Sequence, residues 1–346
     1  MNRRVSTIFT LRPAALALIA ALLLAAGCGE TPLDSTHVDE GRILFIRGTP
    51  SATEICTMMP DGSDIQVISR YEWGDGTRWE SYKFVSWSPD KNQIVVAGRP
   101  GSTRDSWSLW IMDMDGTFLK KLTWRSYKPF WSLDGKDIIF SRLRAGGGAK
   151  DIYTISVSTL VEDTLLRAEI DIGAGTGYRY LLYGVLPHAE SNLLLNETYF
   201  HPDSSGRITD DNKNIIIYNY LSRAKTYLID NEVGRSSPKV SPNGKLLAYV
   251  QQVPDAPYPG TAYLSNLYLT SAEDNSVQQL TAGSKYQYIY LSWSPNGEQL
   301  AFYRKDNSQG STRYGEICRL NIQSGVIETL TNTAQDSIWY IVAEWK

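Results

Sequence analysis

The sequence predicts an all-β chain, a six-bladed β-propeller of four-stranded antiparallel blades whose first blade is closed by the C-terminal strand. Three observations predict it. A phrase built on Trp-Ser-Pro-Asp/Asn-Gly recurs along the chain. A second apolar phrase follows each copy, and the last residues supply the opening strand that the first blade lacks. Fixed-period self-similarity of this kind marks propellers and other repeat arrays.

The first phrase reads Trp87-Ser88-Pro89-Asp90, Trp131-Ser132-Leu133-Asp134-Gly135, Ser241-Pro242-Asn243-Gly244 and Trp293-Ser294-Pro295-Asn296-Gly297. Each copy precedes a short apolar run: Ile94-Val95-Val96, Ile138-Ile139-Phe140, Leu246-Leu247-Ala248-Tyr249 and Leu300-Ala301-Phe302. Two strands joined by a tight turn explain this, because Ser and Pro suit early turn positions and Asp, Asn and Gly tolerate the left-handed one. The second phrase is Leu109-Trp110-Ile111-Met112-Asp113, Ile152-Tyr153-Thr154-Ile155, Leu267-Tyr268-Leu269-Thr270 and Ile317-Cys318-Arg319-Leu320. A polar turn and a strand follow, with endings at Leu122-Thr123, Leu280-Thr281 and Leu330-Thr331, so each unit has four strands. Residues 43–69 and 183–229 read as two degenerate units. The end of the chain, Trp339-Tyr340-Ile341-Val342-Ala343-Glu344-Trp345, aligns with Tyr288–Trp293 and Tyr82–Trp87. It is therefore expected to complete the first blade, closing the ring so that no sheet edge is left open. Trp87, Trp131, Trp293 and Trp345 share one repeat position and are read as structural.

Composition agrees. Aromatic residues make up 11% of the 346, including 21 Tyr and 10 Trp, which suits pleated, half-buried surfaces. The formal net charge is −3, and it becomes about −6 without the segment that carries Arg3, Arg4 and Arg12. A mildly acidic body lacks the basic footprint of general nucleic-acid binding.

The N-terminus reads as an export signal. Arg3 and Arg4 precede an apolar run from Ala14 to Ala26, the length of a signal core and short for a membrane span. It ends in Leu24-Ala25-Ala26-Gly27-Cys28, which resembles the bacterial lipobox, with Leu one place earlier than that pattern prefers. The resemblance implies lipidation (palmitate included) at Cys28 after removal of residues 1–27, anchoring by acyl chains and a flexible tether over 28–40. Residues 41–346 form the propeller. Gly29 after the cysteine points to the periplasmic side of the outer membrane, with the cell surface as the alternative.

The Trp-Ser-Pro-Asp/Asn-Gly phrase, the strand pair behind it and the Leu-Thr ending resemble the TolB-like, WD-related propeller repeat. The resemblance covers the mature chain. It differs from TolB in leaving no room for an α/β domain ahead of the propeller. Related propellers accompany peptidases, yet neither the length for a hydrolase domain nor a Gly-x-Ser-x-Gly elbow is present. Oligosaccharide lyases of this fold rely on clustered histidines, whereas this chain has only His37, His188 and His201. No enzyme activity, cofactor or metal is expected.

Sorting connections by face puts the long loops on one side, at 69–83, 99–108, 123–128, 141–150, 167–182, 197–214, 251–263, 281–287 and 304–315. Long loops on a rigid scaffold commonly carry function. Those loops hold the expected binding residues Trp73, Arg78, Trp79, Arg104, Trp107, Trp124, Arg125, Tyr127, Tyr178, Arg179, Tyr180, Tyr258, Tyr286, Arg313 and Tyr314. Trp, Tyr and Arg are the residues enriched at interface hot spots. Asp113-Met114-Asp115-Gly116 lacks the later ligands of a calcium loop and reads as a turn. Asp210-Asp211 near His201 and Asp203 reads as solvated loop acids, and Cys56 and Cys318 as small buried hydrophobes. The expected function is a non-catalytic protein-binding scaffold of the cell envelope. The alternative is a glycan-binding or carbohydrate-active propeller that uses a central pocket.

Overall fold

A computed structural model describes residues 41–72, 82–98, 107–144, 150–171, 174–206, 208–229, 235–253, 264–274, 276–307, 314–331 and 338–346. These form six antiparallel sheets. Blade one holds Ile43–Gly48, Ala52–Met58 and Gln66–Glu72, with Trp339–Trp345 as its innermost strand. Blade two holds Phe84–Trp87, Gln93–Gly98, Ser108–Asp113 and Phe118–Trp124. Blade three holds Ser126–Trp131, Asp137–Leu143, Lys150–Ser156 and Glu162–Leu166. Blade four runs through Thr176–Leu186, Ala189–Pro202, Ile208–Asn219 and Lys225–Ile229, and Ile170–Asp171 adds a short fifth strand beside the first of these. Blade five holds Arg235–Val240, Leu246–Gln252, Ser265–Ser271 and Val277–Gln279. Blade six holds Tyr286–Trp293, Gln299–Asp306, Glu316–Asn321 and Ile327–Thr329. The innermost strands touch their neighbours in cyclic order, including Trp339–Trp345 against those of blades two and six, so the ring closes as the sequence predicts.

The recurring turn has a chemical reason. In blade three the Ser132 hydroxyl donates to Asp134 Oδ1 at 2.8 Å and accepts from the Asp137 N–H at 2.9 Å, while Asp134 Oδ1 also accepts from the Lys136 N–H. The same set recurs around Ser88 and Asp90, Ser241 and Asn243, and Ser294 and Asn296. The Ser is buried and the Asp or Asn is its acceptor, so the phrase specifies its own turn. Gly135, Gly244 and Gly297 supply the left-handed backbone at φ 72°, 72° and 73°. The Lys136 N–H, the Lys136 ammonium and the Ser132 hydroxyl hold the Asp134 carboxyl down to about 2. Ser132→Ala is expected to cost about 1 kcal/mol, the usual net worth of such a bond, measurable by urea denaturation. The Leu-Thr ending is local chemistry too, since Thr281 and Thr331 hydroxyls accept from the Leu267 and Ile317 N–H groups at 2.9 Å.

The core lies between blades rather than within them. Each of six apolar clusters joins two neighbours; Val95, Ala97, Leu109 and Ile111 of blade two, for example, meet Trp131, Ile138, Phe140 and Ile155 of blade three. The repeated tryptophans are wedges in these seams. Trp131 Nε1 donates to the Ser86 carbonyl at 3.2 Å, and Trp293 Nε1 donates to the Lys239 carbonyl at 3.0 Å, each on the preceding blade's innermost strand. Their structural reading holds. Cys56 and Cys318 are buried free thiols, and burial pushes both up to about 12.

Bulges interrupt five of the six innermost strands near mid-length. Registers shift between Tyr127 and Phe130, Leu182 and Gly184, Ser236 and Lys239, and Ile289 and Ser292, and the closing strand slips opposite Leu44 and Phe45. Lys128, Ser237 and Tyr290 take positive φ of 45°, 54° and 59° there. A bulge re-aims side chains, and these point several toward the axis.

Candidate functional site

Three cavities follow one another along the axis. The first, about 270 Å3, lies toward the long-loop side and is lined by Lys83, Phe84, Trp107, Tyr127, Lys128, Ser141, Lys150 and Leu181. The second, about 210 Å3, sits at the level of the bulges and shares Phe84 and Lys128 with the first. The third, about 380 Å3, opens among the tight turns and shares Phe130, Tyr183 and Lys239 with the second. Lys128 and Lys239 thus stand at the two junctions.

The axis is electropositive although the chain is acidic overall. Among the described residues, the charged side chains lining these cavities are Lys83, Lys128, Lys150, Lys239, Lys346 and one carboxylate, Glu344. Glu344 is committed to structure: it accepts from the Ser86 hydroxyl at 2.7 Å and the Trp87 N–H at 2.8 Å, and lies 3.4 Å from Lys346 Nζ. Among the described residues no carboxylate pairs directly with Lys83, Lys128, Lys150 or Lys239. Ring faces hold them instead. Lys128 Nζ lies 4.1 Å from the Tyr183 centroid, Lys83 Nζ 4.8 Å from Trp107, Lys239 Nζ 5.4 Å from Phe130 and Lys150 Nζ 5.8 Å from Tyr127. A ring quadrupole attracts a cation without neutralising it. Enclosure by protein draws the Lys128 ammonium down to about 8, and it lowers Lys239, Lys150 and Lys83 as well. Lys128 adds to the lowering of Lys150 by like-charge repulsion.

Buried carboxylates elsewhere are paired. Glu54 takes Arg47 and Arg70, Asp151 takes Arg144, and Glu197 takes Lys225 at 2.9 Å, with Tyr180 donating to it. These are cross-strand ion pairs within blades, so the unpaired charges collect on the axis.

Of the expected binding residues, Trp107 and Tyr127 are brought together, with centroids 6.0 Å apart beside the first cavity. Trp124 is 57% exposed on the same side, with the Arg125 guanidinium 5.5 Å from its ring. Tyr286 is half-buried, flanked by Lys285 and Arg304, and Tyr314 is also half-buried. Trp73, Arg78, Trp79, Arg104, Tyr258, Arg313 and Cys28 lie outside the described residues. Three loop expectations need correction. Residues 197–214 are mostly strand: the hairpin of Ala189–Pro202 and Ile208–Asn219 stays paired out to Pro202 and Ile208. Tyr178, Arg179 and Tyr180 belong to the innermost strand of blade four, where Tyr180 is fully buried and bonded to Lys225 at 2.7 Å. Trp124 and Ser126 end adjacent strands joined by Arg125 alone, at φ 54°. The lysines of the axis were not expected from the sequence.

A ring of six four-stranded blades closed by its last strand defines this chain as a closed β-propeller. Its fold is that of TolB-like propellers. TolB from Acinetobacter baumannii matches 88% of this chain and 67% of its own, at 17% identity and a TM-score of 0.60. A putative TolB from Agrobacterium tumefaciens matches 88% of this chain and 98% of its own, at 14% identity and a TM-score of 0.58. A nidogen/laminin complex matches 88% and 98%, at 10% identity and a TM-score of 0.55. At these identities the likeness is one of fold. No protein-family profile and no curated protein sequence matches the chain.

Proposed function

We propose that this chain is a lipid-anchored, non-catalytic binding propeller of the bacterial envelope that docks a partner protein on its long-loop face. The observation that carries this reading is the group of Trp124, Arg125, Trp107 and Tyr127 on that face. A tryptophan with 57% of its surface in water lies mostly outside the core, and a guanidinium beside it makes an amphipathic contact. The lipobox resemblance at Cys28 supports the envelope, and the TolB-like fold is compatible with a periplasmic setting.

The test is affinity purification of the intact protein from its own envelope, beside a variant with Trp107 and Trp124 changed to Ala. A partner retained by the first and lost by the second is the expected outcome. Trp124→Ala by itself should leave the unfolding free energy within about 0.5 kcal/mol, as for other exposed positions. A partner bound equally by both would remove the face from consideration. Incorporation of labelled palmitate that disappears in Cys28→Ser, with recovery in the outer-membrane fraction, tests the anchor. The glycan-binding reading rests on the Trp107–Tyr127 pair at the rim of an axial cavity, since such rings stack on sugars; flat responses across a glycan array would remove it.

A further inference from the structure

We propose that the cavity between blades two, three and four is a binding site for a phosphate group, held by Lys83, Lys128 and Lys150 with the Ser141 hydroxyl. This inference does not depend on a partner protein.

The repeat supplies the internal control. The position of Lys128 in the other five innermost strands holds Phe84, Tyr183, Ser237, Tyr290 and Val342, none of them charged at neutral pH. The fold therefore closes without a cation there. Ser141 is likewise an exception: its counterparts are Ile46, Ala97, Leu194, Val250 and Tyr303, by the cross-strand register. Its hydroxyl is buried, lines the cavity and has no hydrogen-bond partner among the described residues. A buried polar atom left unbonded costs free energy, and so does a cation enclosed without a counter-charge. Three ammonium groups and one idle hydroxyl converge on one space of about 270 Å3. One bound oxyanion would satisfy all four.

The class of anion follows from the donors. Among the described residues the cations lining the cavity are all lysines, with no planar guanidinium fork. Ammonium groups are point charges with rotatable donors, and a tetrahedral dianion can accept from several of them at once. Phe84, Trp107, Tyr127 and Leu181 are the other described residues of the wall and suit a small organic body attached to the phosphate.

Protonation makes the site pH-dependent. Among the described residues, the charged or titratable groups facing Lys128 are Lys83 from blade two, Tyr127 and Lys150 from its own blade, Tyr183 from blade four, Lys239 from blade five and Tyr290 from blade six, none of them a carboxyl; Glu344 lies beyond Lys239. An anion stabilises the protonated lysine, so binding takes up a proton near pH 8 and weakens above it.

The experiment is calorimetric titration of the full chain with inorganic phosphate at low ionic strength, at pH 7.0 and 9.5. The comparison proteins are Lys128→Met, Lys150→Gln and Ser141→Ala, each checked for folding by its thermal transition. Binding is expected at pH 7.0, at least tenfold weaker at pH 9.5 and at least tenfold weaker in either lysine variant. Chloride at equal ionic strength should not compete. Glycerol 3-phosphate and vesicles containing phosphatidic acid distinguish a soluble phosphoester from a lipid headgroup, and either result supports the site if the lysine variants abolish it. No phosphate binding by the folded wild type, equal binding in the variants, or tighter binding of citrate than of phosphate each overturns the proposal.

Discussion

Val342→Asp should abolish cooperative folding of the whole propeller. Val342 lies on the closing strand, opposite Phe45, in a register that runs from Ile43 opposite Trp345 to Gly48 opposite Trp339. Its side chain is buried with Phe45, Cys56, Ile317, Tyr340 and Trp345 in the cluster that joins blades six and one. The two ends of the propeller also clasp each other, because the Arg42 N–H donates to the Lys346 carbonyl at 2.7 Å and the Lys346 N–H to the Arg42 carbonyl at 3.1 Å. An introduced carboxylate would be buried in that apolar seam, with only the enclosed Lys128 and Lys239 of the adjoining axial cavity as described cations to offset its lost hydration, or would force the strand out. Either outcome costs several kcal/mol, against a total of about 5–15 kcal/mol for an ordinary domain. Loss of the strand also opens a sheet edge at Ile43–Gly48. Urea denaturation followed by tryptophan fluorescence should show a broad or absent transition. Val326→Asp, at a position 53% exposed, is the control and should shift the free energy by less than about 0.5 kcal/mol. A Val342→Asp midpoint within about 1 kcal/mol of wild type would mean that closure is not what holds the ring together.

That closing strand was legible in the sequence because its signal is local. Trp345 stands at the same repeat position as Trp87 and Trp293, and the turn in four of the blades is specified by a Ser and an Asp or Asn two residues on. The axis was not legible in the same way. It is assembled from six strands drawn from the full length of the chain, and its lining depends on bulges, which break the alternation that assigns a residue to one face. Lys128 belongs to the loop that the sequence predicts over 123–128, yet it lies in the strand Ser126–Trp131. One signal was present. Pro129 and Pro238 sit two places before Trp131 and Val240, and a proline within a strand marks an edge or a bulge. Aligning the lysines beside those prolines would have placed Lys128 and Lys239 on the axis. The long hairpin of blade four was missed for a different reason. Its tip carries Asp210-Asp211-Asn212-Lys213, a polar run with no apolar face to advertise a strand, and the pairing is set by the residues below it.

Lys128→Met should make the protein more stable, and the gain should fade as the pH rises. Methionine fills a similar volume against Phe84 and Tyr183 and carries no charge. The wild-type ammonium is enclosed with Lys83, Lys150 and Lys239 as neighbours and has no carboxylate partner among the described residues. Its proton is held with a folded value of about 8, against an ordinary 10.5. Below pH 8 the folded protein carries the full penalty of the enclosed charge. Between about 8 and 10.5 the unfolded chain keeps a proton that the folded chain has released, so this group's contribution to stability improves with rising pH. The cavity keeps some solvent, which discounts the penalty, and a gain of roughly 1–3 kcal/mol at pH 7 is expected. Cys56, Cys318 and the buried tyrosines titrate in the opposite sense at higher pH, so the quantity to measure is the difference between variant and wild type. Urea midpoints at pH 7, 8, 9 and 10 give it directly. A difference that shrinks across this range shows that the enclosed ammonium is kept at the expense of stability, as expected where a cation waits for an anion. A variant less stable than wild type at pH 7 would mean that the ammonium is already satisfied inside the folded chain, and that the axis is structural.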